Sequence, residues 1–178
     1  MLFRFVNMSA LYPEYWPQFF TATILDWKKL LAKDKYKDEV IKSLQFMVWH
    51  NRIRLYAFAI MDNHIYLIWQ PQPGQTPQKI QLSFMKYTAQ QIKFDLQKTE
   101  SKYLEEFKVT AKDRACQFWE RNSLYIDLFT DTAFNQKLEY IHANPVKAGI
   151  CQLPEQYYYS SAKFYAAGID DFKMLTYA

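Results

Sequence analysis

Two side chains whose chemistry could matter lie close together in the segment LEYIHANPVKAG, from Leu138 to Gly149. Tyr140 and Asn144 are four residues apart, so on a helix both point to the same side. Pro145 disfavours helix at the residue before it, so we expect the pair near a helix end. A phenol is an oxygen nucleophile and a carboxamide oxygen can bind a cation, although a tyrosine near a helix end is more commonly a packing residue.

A second segment with chemical potential lies about seventy residues earlier, from Ile53 to Gln70. Two apolar runs are joined there by the polar pair Asp62-Asn63, which predicts a β-hairpin whose second strand begins at His64. Because side chains alternate along a strand, His64 and Tyr66 are predicted to share one face. Taken alone, His64 is more typical of a hydrogen-bonded turn or core histidine than of a ligand.

The rest of the chain predicts the elements that must position these residues. Besides the hairpin strands Ile53 to Ile60 and His64 to Trp69, we expect strands at Gln18 to Leu25 and Gln117 to Phe129, and helices at Lys33 to His50, Gln78 to Gln97 and Ala133 to His142. Asp131 or Thr132 is the expected cap of the last helix. The order β-α-β-β-α-β predicts an α+β fold, a ferredoxin-like antiparallel sheet with helices packed on one face and the hairpin strands central.

The apolar pattern also predicts which large side chains are buried. In the long helix the expected buried stripe is Ile80, Phe84, Tyr87 and Ile92. Trp49 and Trp69 lie in strongly apolar surroundings, so burial is expected for both.

Composition limits the function further. The 178 residues are expected to form one domain, residues 1–178, and an apolar content of 50% excludes a disordered chain. Only three glycines occur and no glycine-rich phosphate loop is present, so a nucleotide cofactor is not expected. Two cysteines without CxxC spacing, no signal segment and no long apolar run predict a cytoplasmic protein without a membrane anchor. The net charge of +4 permits a polyanionic partner without requiring one.

These segments together resemble the REP-associated tyrosine transposases, a branch of the single-tyrosine HUH transposase superfamily. The resemblance covers most of the chain, in order, and its most specific block is YIHANPVKAG. The segments that carry it are WPQFFTATIL (Trp16 to Leu25), AFAIMDNHIYLIWQ (Ala57 to Gln70), QFWERNSLYID (Gln117 to Asp127), YIHANPVKAG (Tyr140 to Gly149) and YYYSSAKFY (Tyr157 to Tyr165).

The resemblance implies a protein that binds single-stranded or hairpin DNA and cuts and rejoins it. Tyr140 would be the nucleophile, and its attack would leave a 5′-phosphotyrosine and a free 3′-hydroxyl. His64 and Asn144 would bind Mg²⁺ or Mn²⁺, and a homodimer is expected. The HUH pattern has two histidines flanking one apolar residue, but here the second position is Tyr66. A phenol with a pKa of about 10 is a weak ligand, so compensation would have to come from Asp62, Asn63 or an acidic residue elsewhere.

The resemblance and the residues leave two alternatives open. One is a hairpin-DNA-binding protein, catalytically weakened or domesticated, whose degenerate site is His64-Ile65-Tyr66. The other is an unrelated aromatic-rich interaction domain without affinity for DNA.

Basic residues interleaved with aromatics are the expected DNA contacts, because ammonium and guanidinium groups bind phosphates while rings stack on unpaired bases. Three lysines of the long helix recur every seven residues and therefore share one face, although a solvated face explains them equally well. The candidates are Arg4, Lys79, Lys86, Lys93, Arg121 and Lys147.

Overall fold

The computed structural model describes residues 14–111 and 114–177. The strands are β1 (Gln18–Thr23), β2 (Ile53–Ile60), β3 (His64–Pro71), β4 (Lys108–Ala111), β5 (Arg114–Cys116) and β6 (Leu124–Asp127). The helices are α1 (Asp34–Trp49), α2 (Pro77–Thr99), α3 (Ser101–Glu105), α4 (Asp131–Lys147) and α5 (Ala162–Ala167). None of the helices in these described ranges has the length and apolar character needed to cross a membrane.

Four strands form an antiparallel sheet in the order β2-β3-β1-β6. This order confirms the predicted ferredoxin-like α+β fold. A central position is confirmed for β3 but is wrong for β2, which lies at the edge. The C-terminal segment covers that edge through bridges from Ala59 to Ser160 and from Leu55 to Leu175. This cover explains why an edge strand is almost continuously apolar.

The two faces of the sheet carry different helices. On one face α1 and α2 pack over a cluster that includes Phe20, Trp69 and Phe84, with the rings of Phe20 and Trp69 4.8 Å apart. On the opposite face α4 places Phe134 and Ile141 against the strands. Helices α1 and α2 therefore cover one face, as predicted. Helix α4, which carries Tyr140, forms a third layer on the opposite face.

Helices α1 and α2 begin and end within two residues of their predicted bounds. The predicted burial of Trp69 is confirmed, whereas that of Trp49 is wrong, since its side chain is 63% exposed and its indole N–H donates to the carbonyl of Lys173. Tyr87 is also exposed, so its place in the buried stripe is wrong. The residue that faces the core there is Thr88, because it follows Phe84 by one full turn.

The predicted strand from Gln117 to Phe129 is shorter in the structure. Only Leu124–Asp127 pairs in the sheet, as β6, next to β1. The first part of the segment forms an isolated bridge between Trp119 and Ile24 and is buried under α2. A polar stretch at residues 120–123 separates the two parts, which is why one continuous strand does not form.

Helix α4 extends further than predicted at both ends. Its cap is Thr130, whose hydroxyl accepts a hydrogen bond from the backbone N–H of Ala133 at 3.2 Å, so the expected caps Asp131 and Thr132 are wrong. The helix continues through Pro145 and ends at Lys147, five residues after His142. A proline near the last turn removes a single backbone hydrogen bond, and Pro145 is buried, which offsets that loss.

Candidate active site

The hydroxyl groups of Tyr66 and Tyr140 meet between β3 and α4. Their oxygens are 3.2 Å apart, which is hydrogen-bonding distance, and their ring centroids are 5.3 Å apart in an edge-to-face arrangement. Tyr140 is 40% exposed, so its hydroxyl is accessible from solvent. The residue at the second HUH position therefore touches the residue expected to be the nucleophile.

Strand alternation explains how β3 presents this face. Ile65 points into the core under α1 and α2, so its two neighbours point to the α4 side. The rings of His64 and Tyr66 lie 4.8 Å apart. On the neighbouring strand β1, Thr23 and Thr21 are their register partners. The prediction that His64 and Tyr66 share a face is confirmed.

His64 has one nitrogen engaged and one without a partner. Its Nδ1 is 2.7 Å from Oδ1 of Asn63, while its Nε2 is buried and has no hydrogen-bond partner among the described residues. The ring of Trp27 packs edge-on against it at 6.0 Å. Burial lowers the pKa of His64, and the nearby charge of Asp62 opposes this in part. The imidazole is therefore neutral near pH 7, the form in which a ring nitrogen can accept a proton or a ligand.

Asn144 lies one turn after Tyr140 on the same side of α4. Its Nδ2 donates to the backbone carbonyl of Tyr140 at 2.6 Å, which fixes the orientation of the amide. Two candidates for a compensating ligand, Asn63 and Asp62, contact other side chains. Asn63 holds His64, and the carboxylate of Asp62 is 3.5 Å from the ammonium of Lys37.

The residues present do not fit a conventional Mg²⁺ or Mn²⁺ site. Of the three expected ligands, His64 alone offers a buried nitrogen without a partner in the described chain. Burial and the hydrogen bond to Tyr140 raise the pKa of Tyr66, so its phenol stays neutral and is a poor ligand. Magnesium favours carboxylate oxygens, and the described residues contain no group of three histidine, cysteine, aspartate or glutamate side chains that could hold a metal ion. The metal-ligand roles of His64, Tyr66 and Asn144 stay predictions.

Two lysines of α4 flank the tyrosine. The ammonium of Lys147 lies 5.7 Å from the centre of the Tyr140 ring, and that of Lys137 lies 5.6 Å from the same ring and 4.6 Å from the ring of Phe19. These are cation–π distances. Lys147 was among the predicted DNA contacts, whereas Lys137 was missed. Its position three residues before Tyr140 was the available signal, because residues three apart on a helix are neighbours.

The other predicted DNA contacts lie away from Tyr140. Lys79, Lys86 and Lys93 belong to α2, which packs on the opposite face of the sheet. The structure therefore does not bring them to the α4 side. Arg4 lies outside the described residues.

One of these lysines shares a groove with the predicted arginine. Lys86 and Arg121 both line a groove of about 510 Å³ between α2 and the segment before β6. Trp119, two residues before Arg121, is buried, and its indole N–H donates to the hydroxyl of Thr88. The groove thus offers two cations from different elements.

His142 lies between Tyr140 and Asn144 in sequence but faces elsewhere. Its Nε2 is 2.8 Å from the hydroxyl oxygen of Ser161, in the C-terminal segment. Burial lowers the pKa of His142 to about 4. This histidine joins α4 to the segment that covers the edge of β2.

Comparisons with known proteins show that the fold of this chain is similar to that of solved transposase structures. No protein-family model matches the chain, and no curated protein sequence matches it. A solved structure of a REP-associated tyrosine transposase bound to a REP hairpin is similar over 93% of this chain and 90% of that chain, with a TM-score of 0.59 and 16% sequence identity. A proposed transposase from Deinococcus radiodurans R1 shows a weaker likeness, with a TM-score of 0.46, 12% identity, and coverage of 71% of this chain and 89% of that chain. The chain therefore has the fold of a REP-associated tyrosine transposase.

Proposed function

We propose that this protein binds hairpin or single-stranded DNA and cleaves it with Tyr140 through a 5′-phosphotyrosine intermediate. The observation that carries the proposal is the setting of Tyr140, an exposed phenol that touches Tyr66 at the HUH position and is flanked by two lysines. The likeness to a transposase solved with a REP hairpin supports DNA of that kind as the partner.

The chemical step is a transesterification at phosphorus. The hydroxyl oxygen of Tyr140 forms a bond to phosphorus while the bond from phosphorus to the 3′-oxygen breaks. The phenolic proton leaves the tyrosine, and the 3′-oxygen gains a proton, so the products are a phosphotyrosine and a free 3′-hydroxyl. Because a phosphodiester is exchanged for a phosphodiester, the strand can be rejoined by the reverse attack.

Tyr66 has a positioning role in this proposal. Its hydroxyl holds that of Tyr140, and its ring stacks on the buried ring of Phe19 at 5.9 Å. Phe19 also meets the ring of Tyr140 edge-on at 6.1 Å. The nucleophile is therefore supported by aromatic contacts from two strands, which limits the rotations open to it.

The proposed reaction proceeds without a step on a divalent cation. The resemblance implies Mg²⁺ or Mn²⁺ at His64 and Asn144, but of these two only His64 has a buried nitrogen without a partner, and no carboxylate completes a site among the described residues. We therefore assign the chemistry to the chain's own side chains. The implied homodimer and cytoplasmic location remain proposals.

A second candidate function follows from the same substitution. Tyr66 replaces a metal-binding histidine of the HUH pattern, and its neutral phenol engages the nucleophile. This observation favours a hairpin-DNA-binding protein whose cleavage is weakened or lost. Both candidates predict DNA binding, but only the first predicts a covalent product.

The test is a cleavage assay on labelled hairpin DNA drawn from sequence that flanks the gene. The wild-type protein is compared with Tyr140→Phe, which keeps the ring and removes the nucleophilic oxygen. We expect a slowly migrating protein–DNA band on a denaturing gel for the wild type and none for Tyr140→Phe. Equal hairpin binding by both proteins without any covalent band would support the second candidate.

A further inference from the structure

Four polar side chains form one stripe along α4. Lys137, Tyr140, Asn144 and Lys147 follow at intervals of three, four and three residues, so they share one side of the helix. The neighbouring side of the helix buries Phe134 and Ile141 against the sheet. The stripe therefore borders the sheet, with the phenol between the two ammonium groups in sequence.

Aromatic rings hold the two ammonium groups near Tyr140. Lys137 lies over the rings of Phe19 and Tyr140, at 4.6 and 5.6 Å from their centres, and Lys147 lies 5.7 Å from the ring of Tyr140. Phe19 is buried and belongs to β1, so it is a fixed support. Cation–π contact attracts an ammonium without neutralising its charge.

Both ammonium groups remain available to an anion. Seven other lysines in the described ranges form salt bridges, namely Lys28, Lys33, Lys35, Lys37, Lys42, Lys108 and Lys163. Lys137 and Lys147 form none with any carboxylate in those ranges. Two such positive charges within 6 Å of the ring of one exposed phenol would attract an anion towards that phenol.

We propose that Lys137 and Lys147 bind the phosphate that Tyr140 attacks, and that their charges take the place of a divalent cation in the cleavage. This inference rests on the proposed function and assigns the charge stabilisation that the function needs. Because His64, Tyr66 and Asn144 do not fit a conventional cation site, the positive charge beside Tyr140 comes from the two lysines.

The lysines act on the charge that develops at phosphorus. As the tyrosine oxygen bonds to phosphorus, negative charge builds on the non-bridging oxygens, and fixed ammonium groups stabilise it more than they stabilise the ground state. No oxidant, reductant or co-reactant is required. Cleavage should therefore continue when divalent cations are removed.

The first experiment measures covalent adduct formation on labelled hairpin DNA in excess chelator and with added Mn²⁺. The variants are Lys137→Met, Lys147→Met and the double substitution. The matched control is Lys163→Met, because that lysine is half-exposed, lies on α5 and pairs with Asp171 at 2.9 Å. Arginine at positions 137 and 147 keeps the charge and serves as the conservative variant.

We expect wild-type adduct formation to change less than about twofold between chelator and Mn²⁺. Each methionine variant should slow it by about 100- to 1,000-fold, the range seen when one stabilising group is removed from a transition state. Arginine should restore most of the rate, and Lys163→Met should leave it unchanged. The proposal is overturned if chelator abolishes the adduct and the methionine variants cleave normally, a result that leaves Tyr140 cleavage intact.

A second experiment tests the anion site without cleavage. Inorganic phosphate is added to protein labelled with [ζ-¹³C]tyrosine, and the resonance of Tyr140 is identified by its loss in Tyr140→Phe. We expect this resonance to shift with phosphate in the wild type and in Lys163→Met, but not in the double methionine variant. No shift in the wild type, or an equal shift in the double variant, would contradict the proposed phosphate site even in a protein that cleaves nothing.

Discussion

The hydroxyl oxygens of Tyr66 and Tyr140 lie 3.2 Å apart, so the side chain at the second HUH position faces the proposed nucleophile. Burial and this hydrogen bond raise the pKa of Tyr66, which keeps its phenol neutral at physiological pH. A neutral phenol holds its partner but binds a divalent cation poorly. The tyrosine at the second HUH position therefore bears on two parts of the proposed function. It positions Tyr140, and it replaces a histidine that would bind a metal in the HUH pattern.

Replacing Tyr66 with histidine should make adduct formation faster in the presence of divalent cations. Tyr66→His places a second imidazole one residue beyond Ile65, on the same face as His64. We expect Mn²⁺ to stimulate adduct formation by this variant by about tenfold or more over chelator, because a bound cation polarises the phosphoryl oxygens. The control is Tyr66→Phe, which removes the hydroxyl without adding a ligand and should show no stimulation. Equal stimulation of the wild-type protein would contradict this account.

Groove residues should contribute to DNA binding through charge. Lys86 and Arg121 line the groove between α2 and the segment before β6. Changing both to glutamine should weaken hairpin binding and reduce the slope of log affinity against log salt by about 1 for each phosphate that the variant no longer binds. Fluorescence anisotropy at several salt concentrations measures both quantities. The control is Lys42→Gln, an exposed lysine paired with Glu39 at 2.6 Å, and an identical effect from it would show that the groove has no special role.

Acid should destabilise the protein through His142. Burial lowers the pKa of His142 to about 4, against about 6.5 in an unfolded chain. Between these values the unfolded state binds the proton and the folded state does not, so stability falls as pH decreases from about 6.5 towards 4. The expected loss from this residue between pH 7.5 and pH 5 is roughly 2 kcal/mol.

Urea unfolding at the two pH values checks this prediction. His142→Gln can keep a hydrogen bond to Ser161 without titrating, so its stability should depend less on pH than that of the wild type. His50→Gln is the matched control, since His50 is exposed at the end of α1. If His142→Gln and the wild type lose equal stability at pH 5, the buried neutral state of this histidine is refuted.

Thr88 should stabilise the fold through a buried hydrogen bond. Its hydroxyl accepts from the indole N–H of Trp119 at 3.0 Å and donates to the carbonyl of Phe84 at 2.9 Å. Thr88→Val keeps the shape but leaves the indole N–H without a partner, which should cost about 1 to 3 kcal/mol of unfolding free energy. The control is Thr99→Val at the exposed end of α2. Guanidinium unfolding followed by tryptophan fluorescence gives both values, and equal losses would argue against the buried bond.

The sequence predicted the elements well where local pattern determines them. The bounds of α1, α2 and the hairpin were predicted closely, because apolar periodicity and the Asp62-Asn63 turn are local signals. The shared face of His64 and Tyr66 followed from strand alternation alone. The shared side of Tyr140 and Asn144 followed in the same way from helical spacing.

Long-range packing explains what the sequence did not predict. Trp49 ends an apolar run, yet in the last turn of α1 Met47 is buried and Val48 is partly buried against the core, so the tryptophan lies outside. The role of Lys137 depends on how α4 docks against Phe19 of β1, a strand more than one hundred residues earlier. The spacing of three residues from Tyr140 is a local signal for Lys137, but nothing local to either segment indicates its contact with Phe19.

The measurement that tests the central claim most directly is mass spectrometry of the covalent product. Wild-type protein is incubated with hairpin DNA, digested with nuclease and protease, and searched for a peptide that carries a 5′-linked nucleotide. We expect the nucleotide on the peptide that contains Tyr140, with Tyr66 unmodified and no adduct in Tyr140→Phe. A nucleotide on another residue, or no adduct although the hairpin is bound, would contradict the claim that Tyr140 is the nucleophile.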